Sequence, residues 1–173
     1  MSLNNFAAID FETANENRNS ACALSIVNVE NLKVKKCSTF LIKPPGELFT
    51  FSHIHNIRYD DVKNEKTFDL LWPQINELLQ NVNFIAAHNV TFDRSVLFAL
   101  FGRYQITAPD YRFLCTVQLA RRVWQIFPTN LPSVCNRLSI SLNHHDPESD
   151  ALACANIIIK ASNHGEIIHN CLR

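Results

Sequence analysis

Acidic side chains stand at three separate places in this sequence where the surrounding pattern asks for apolar ones. Asp10 and Glu12 flank Phe11 at the end of an apolar run. Positions i and i+2 of a strand share a face, so these two carboxylates project together. Read alone, an acid pair at a strand end is two solvated side chains. Asp93 falls in a helical stripe with Leu97 and Leu100, and Asp150 in another with Cys154 and Ile157. Taken singly, each is a first-turn carboxylate favoured by the helix dipole by about 0.3–1 kcal/mol. Both stripes nevertheless aim the acid at a sheet, where an ionised carboxylate is costly unless a cation compensates it. If Asp10, Glu12, Asp93 and Asp150 converge, mutual repulsion raises their pKa values or calls for a cation. Their hard oxygen donors favour Mg²⁺ or Mn²⁺ over zinc, and two-ion phosphoryl transfer is the economical chemistry. His88-Asn89 and His144-His145 sit in loops, where a lone histidine is ordinarily a surface residue.

Positioning these groups requires a sheet with helices at its strand ends. Phe6–Phe11, Ala21–Val29 and Val34–Ile42 read as three antiparallel strands, the last two joined as a hairpin through Glu30-Asn31-Leu32-Lys33. Pro44-Pro45-Gly46 opens an irregular stretch to about Lys66. From Thr67, as N-cap, Phe68, Leu71, Trp72, Ile75, Leu78 and Leu79 recur at helical spacing, and Pro73 predicts a later start or a kink. A strand over Phe84–Ala87 precedes a helix capped by Thr91 and reaching about Phe101. Arg112–Cys115 reads as a fifth strand feeding a helix from Thr116 to about Trp124. Leu131–Leu138 is a short helix, and Pro147 starts a last one running to about Ser162. The expectation is an α/β fold, a mixed sheet with helices on its faces, in a single domain over residues 1–173.

Composition narrows the function. Lys plus Arg and Asp plus Glu are 16 each, so a nucleic-acid coating protein with a large basic face is disfavoured. The three glycines, Gly46, Gly102 and Gly165, are far apart, which excludes a Walker loop and a dinucleotide fingerprint. The six cysteines lack C-x-x-C spacing and lie among apolar residues, arguing against a zinc ribbon or disulfide scaffold and for a reducing compartment. The N-terminus lacks signal-peptide character, and no apolar run approaches the roughly 18 residues that span a bilayer. The expectation is a soluble, cytoplasmic protein without membrane association.

Three segments in order change the odds for every residue in them: Asp10-Phe11-Glu12-Thr13, then His88-Asn89-Val90-Thr91-Phe92-Asp93, then His145-Asp146-Pro147-Glu148-Ser149-Asp150. Together they resemble the DEDDh 3′–5′ exonucleases, the group that includes the epsilon proofreading subunit of bacterial DNA polymerase III. His55-Asn56-Ile57 resembles the H-G-I turn of that group, and Cys115–Arg121 the segment between its later motifs. The resemblance covers nearly the whole chain. It implies a ribonuclease H-like fold with a five-stranded mixed sheet. It further implies that Asp10, Glu12 and Asp150 hold two Mg²⁺ or Mn²⁺ ions, that Asp93 completes the acidic set, and that His145 is the general base. Phe11, Thr13, His55, His88, Asn89 and Phe92 match positions around the terminal nucleotide. For Phe11 and Phe92 a plain core role weighs equally.

Ser25 and Asn56 stand where the family often has glycine, and Asp146 and Glu148 add charge to a segment usually made of small residues. The chain stops about 23 residues after Asp150, which predicts a stand-alone enzyme with no tether for a polymerase. Zero net charge predicts short single-stranded 3′ ends or small fragments as substrate rather than long duplexes, with Arg94, Arg121 and Arg122 as local phosphate contacts or plain solvated residues. DNA is favoured over RNA as substrate, a choice that the motifs themselves do not make. An exoribonuclease or short-oligonucleotide nuclease is the nearest alternative. A non-catalytic nucleotide- or partner-binding module is the alternative of another class. A homodimer stays open.

Overall fold

The computed structural model describes residues 3–172. One five-stranded sheet runs in the order β3-β2-β1-β4-β5, formed by β1 (Phe6–Thr13), β2 (Ala21–Glu30), β3 (Lys33–Leu41), β4 (Ile85–Ala87) and β5 (Phe113–Cys115). The first three pair antiparallel, while β4 and β5 join parallel to β1, giving the expected mixed sheet. The β2–β3 hairpin turns through Asn31 and Leu32, both left-handed, the two-residue geometry that matches the twist of its strands. At the outer edge, β3 carries Lys33, Lys35 and Lys36, charges that discourage edge-to-edge pairing.

The period of two along β1 divides the core. Phe6 and Ala8 face one apolar layer, completed by Leu119, Val134, Cys154 and Ile157 from α5 (Thr116–Trp124), α6 (Leu131–Leu138) and α7 (Pro147–Lys160). Ala7, Ile9 and Phe11 face the other layer, with Phe68 and Ile75 of α3 (Phe68–Leu79) and Leu97 and Leu100 of α4 (Thr91–Tyr104). Asp10 and Glu12 therefore share the α7 side of the sheet with Phe6 and Ala8.

Several boundaries differ from expectation. Helix α3 starts at Phe68 with Pro73 inside it, because Pro73 lies on the exposed face where water can satisfy the orphaned carbonyl. Val90, not Thr91, is the cap of α4, which continues to Tyr104 and ends on a left-handed Gln105. The stretch 43–66 contains two one-turn helices, α1 (Ser52–His55) and α2 (Tyr59–Val62), too short to leave a periodic signature. After α7 the chain makes a 3₁₀ turn, Ser162–His164, and a short α8, Gly165–His169. No helix among the described residues is long and apolar enough to cross a membrane.

Candidate active site

The site lies at the end of β1, where the sheet has a step. β4 pairs with β1 only as far as Ala8 and ends at Ala87, whereas β1 runs on to Thr13. The amide N–H groups on that side of β1 consequently outrun their partner strand. Ala7 N–H donates to Phe84, but Phe11 N–H, farther along, donates to Oδ1 of Asp93 at 3.0 Å. The first turn of α4 thus delivers a buried carboxylate into the gap left by a short strand.

Asp150 arrives from the opposite layer. Asp146 caps α7, its Oδ1 accepting from Ser149 N–H at 2.9 Å, which places Asp150 in the first turn and on the buried side. The side chain of Asp150 is 6% exposed. Its Oδ2 accepts from Nδ1 of His144 at 2.9 Å and from the His145 backbone N–H at 3.2 Å. Its Oδ1 is buried and has no hydrogen-bond partner. His145 adopts φ 70°, a left-handed conformation uncommon for a side chain of this size, and its ring stacks on that of His144 at 3.8 Å between centroids.

Electrostatically the four acids feel one another. Burial, and then the charges of Asp93, Glu12 and Asp150, push Asp10 well above the usual carboxylate range. Glu12 is pushed up to about 7, by burial first and then by Asp150. Asp93 is pushed up to about 8, mainly by burial, although the Phe11 N–H and the Arg18 charge pull the other way. Asp150 is raised by burial, against the opposing pull of His144 and His145. A set of hard oxygen donors destabilised by its own charge, one oxygen of it orphaned in the interior, fits a divalent cation.

The remaining predicted residues divide. Thr13 is buried and its carbonyl accepts from Nε2 of His55 at 3.2 Å, while Nδ1 of His55 accepts from Ile57 N–H at 3.1 Å. That double engagement fixes His55 beside β1 as the Nε2–H tautomer. Asn56 takes the left-handed conformation that the glycine of the H-G-I turn would supply. Asn89 is exposed and left-handed, and half-buried Phe92 follows it, its N–H bonded to the Asn89 carbonyl. Phe11 is 2% exposed and packs within the α3–α4 layer, the core surroundings that weighed equally for it in the sequence. In His88, Nε2 donates to the Thr129 carbonyl at 2.8 Å and Nδ1 meets the Thr116 hydroxyl at 2.9 Å, so both of its ring nitrogens, like those of His55, are held within the protein. Its place in the structure is to pin the loop before α6.

Three interactions around the site escape sequence reasoning. His144 makes the hydrogen bond to Asp150, and only its adjacency to His145 hinted at this. Arg18, exposed in the β1–β2 loop, lies 4.5 Å over the Phe92 ring. Ser25, opposite Asp10 on β2, is fully buried and donates to the Thr39 hydroxyl at 2.8 Å, which in turn donates to Glu148 at 3.0 Å. The unusual Ser25 and one of the surplus acids are therefore two ends of a single hydrogen-bonded chain.

A family model described as Exonuclease (RNase_T) matches residues 7–158. No curated protein matches the chain in sequence. Among solved structures, the nuclease domain of 3′hExo, a DEDDh family member bound to rAMP, superposes with TM-score 0.82 at 14% identity, over 95% of this chain and 94% of that one. Exonuclease X in complex with 5′ overhanging duplex DNA gives TM-score 0.76 at 20% identity, over 93% of each chain. The zinc-bound E. coli ExoI–ssDNA complex gives 0.77 at 16%, over 96% of this chain and 42% of that one. At these identities the likeness concerns the fold, which is the ribonuclease H-like sheet expected.

Proposed function

The chain belongs to the RNase_T exonuclease family, hydrolases of phosphodiester bonds, and from that premise we propose that it is a DEDDh-type 3′–5′ exonuclease that trims single-stranded DNA from the 3′ end with two divalent ions, releasing nucleoside 5′-monophosphates. The observation that carries this reading is the meeting of Asp10 and Glu12 from β1, Asp93 from α4 and Asp150 from α7, with one Asp150 oxygen buried and unpartnered.

In this reading Asp10, Glu12 and Asp150 hold the metal and Asp93 completes the set, its own position fixed by the Phe11 N–H. Held by these residues, Mg²⁺ or Mn²⁺ would supply the positive charge that offsets the acids and that stabilises negative charge developing on the phosphodiester. His145 takes the proton of the attacking water. Partial desolvation and the neighbouring His144 hold its pKa below the usual imidazole value, which favours the neutral ring that can accept. Thr13, His55, Asn89 and Phe92 border the terminal nucleotide. Arg18, stacked on Phe92, is placed to meet a phosphate while its face covers the aromatic ring. RNA or a short oligonucleotide is the second reading of the same site, favoured by the rAMP held in the structurally similar 3′hExo domain.

The test is a gel time course on matched 5′-labelled DNA and RNA single strands, with Mn²⁺ or EDTA, comparing wild type with Asp150→Asn. A ladder shortening from the 3′ end, seen only with metal and absent in the variant, is the expected result, and the faster ladder identifies the sugar. Metal binding without cleavage of either strand would replace the nuclease with a binding module.

A further inference from the structure

The two oxygens of Asp150 are treated differently, and one of them is buried without a partner. Oδ2 is saturated from outside by two donors, Nδ1–H of His144 at 2.9 Å and the His145 backbone N–H at 3.2 Å. Oδ1 has no partner and is buried. The left-handed His145 makes this arrangement possible, because that turn brings the His144 ring back over α7 while the two rings stack at 3.8 Å. A carboxylate accepting two hydrogen bonds on one oxygen cannot rotate without breaking both, so the orientation of the other oxygen is fixed as well.

We propose that His144 is a positioning residue for the metal site: its Nδ1–H locks Oδ2 of Asp150 and leaves Oδ1 as the oxygen open to a divalent ion. This rests on the metal-site reading given above. Outer partners of metal ligands commonly set affinity by fixing the ligand's direction, and losing one costs about 10–100-fold. His144 itself remains 37% exposed, as suits a group that braces the ligand from the solvent side. The nitrogen and oxygen donors of His144, His145 and Asp150 also lie within 4.8 Å of one another, so the alternative in which His144 binds the ion directly has to be separated by experiment.

Mn²⁺ binding, read from the electron paramagnetic resonance signal of free Mn²⁺, separates these roles in wild type, His144→Ala, His144→Phe, His144→Asn and Asp150→Asn. Thermal melts in EDTA verify that each variant is folded. The phenylalanine ring keeps the stack on His145 but has no N–H, so it should bind as weakly as the alanine variant, about 10–100-fold below wild type. The amide nitrogen of Asn occupies about the place of Nδ1 and should restore most of the affinity. In turnover assays the alanine variant should regain its rate at high Mn²⁺, whereas Asp150→Asn should not. Wild-type affinity in His144→Ala or His144→Phe overturns the proposal, as does tighter binding, which would mean that His144 competes with the ion. Failure of Asn to restore a weakened site overturns it too, making His144 a direct ligand. Unchanged Mn²⁺ binding in Asp150→Asn would instead refute the metal-site reading on which the proposal stands.

Discussion

Helices α4 and α7 each contribute an acid from their first turn, one from either layer, yet the two acids are held in opposite ways. Asp93 is joined to the sheet itself, accepting the Phe11 N–H that the short β4 leaves behind. Asp150 is held only by the loop that precedes its own helix, and one oxygen is left over. The α4 acid is thus part of the strand's hydrogen bonding as well as of the charge cluster, while the α7 acid belongs to the cluster alone. The difference teaches that removing either acid should damage activity, but only one removal should damage the fold.

The comparison would break most visibly at Asp150. Asp150→Asn should lower the cleavage rate on the order of 10³-fold, since several kcal/mol of metal-derived stabilisation is at stake, while the melting temperature in EDTA stays level or rises. A large drop in that melting temperature would show that the α7 acid is structural after all. Next in size is the α4 side. Asp93→Ala strands a buried N–H and should cost about 1–3 kcal/mol in denaturant unfolding. Asp93→Asn keeps an acceptor and should cost less, with activity lost in both. Equal stability of the two variants would mean that the Phe11 bond contributes nothing.

Both acids are raised by burial in the metal-free protein, and Glu12 with them, which gives the cluster a pH signature. Because folded values of about 7 for Glu12 and about 8 for Asp93 exceed the ordinary values of 4.5 and 3.8, these groups favour the fold while protonated. That contribution is complete below about pH 4 and is lost as pH rises through about 7 and 8. Stability in EDTA should therefore fall across this window, and Mn²⁺ should raise the melting temperature more at about pH 8.5 than at about pH 5.5. A metal-free stability that is flat over the window would remove the electrostatic part of the comparison. The smallest effect belongs to Arg18. Its exposed stacking on Phe92 is worth about 0.5–1 kcal/mol, so Arg18→Ala should raise KM for single-stranded DNA a few-fold and leave kcat nearly unchanged. A loss confined to kcat would move Arg18 from substrate contact to the α4 acid.

The strand and helix periods made most of this fold legible. The stripes through Asp93 and Asp150 pointed inward because the neighbours at helical spacing were apolar, and all of those residues are buried. What escaped was whatever depends on a partner distant in sequence or on one backbone conformation. Nothing near His88 announces that Thr116 and Thr129 will occupy both of its nitrogens. Phe11 and Phe92 are both apolar letters within motifs, yet one faces the core and the other faces Arg18. The hydrogen bond of His144 accompanies a left-handed His145, and in a segment of Asn, His and Asp, the types that visit that region most, nothing says which residue will adopt it. Helices of one turn, such as α1 and α2, are shorter than a period and could not be read from one.

The hydroxyl relay from Ser25 through Thr39 to Glu148 acts on rotation. Glu148 sits two residues before Asp150 in the same turn of α7, so any roll of that helix about its axis swings both side chains. By anchoring Glu148 to the outermost strand, the relay works as a brake on that roll, with its grip at the far rim of the sheet from α4. The aim of Asp150 is then indexed to β3, and a change at this distant edge can misalign the acid without touching the cluster. Thr39→Val, which severs the relay while keeping the shape, is where such slack would enter.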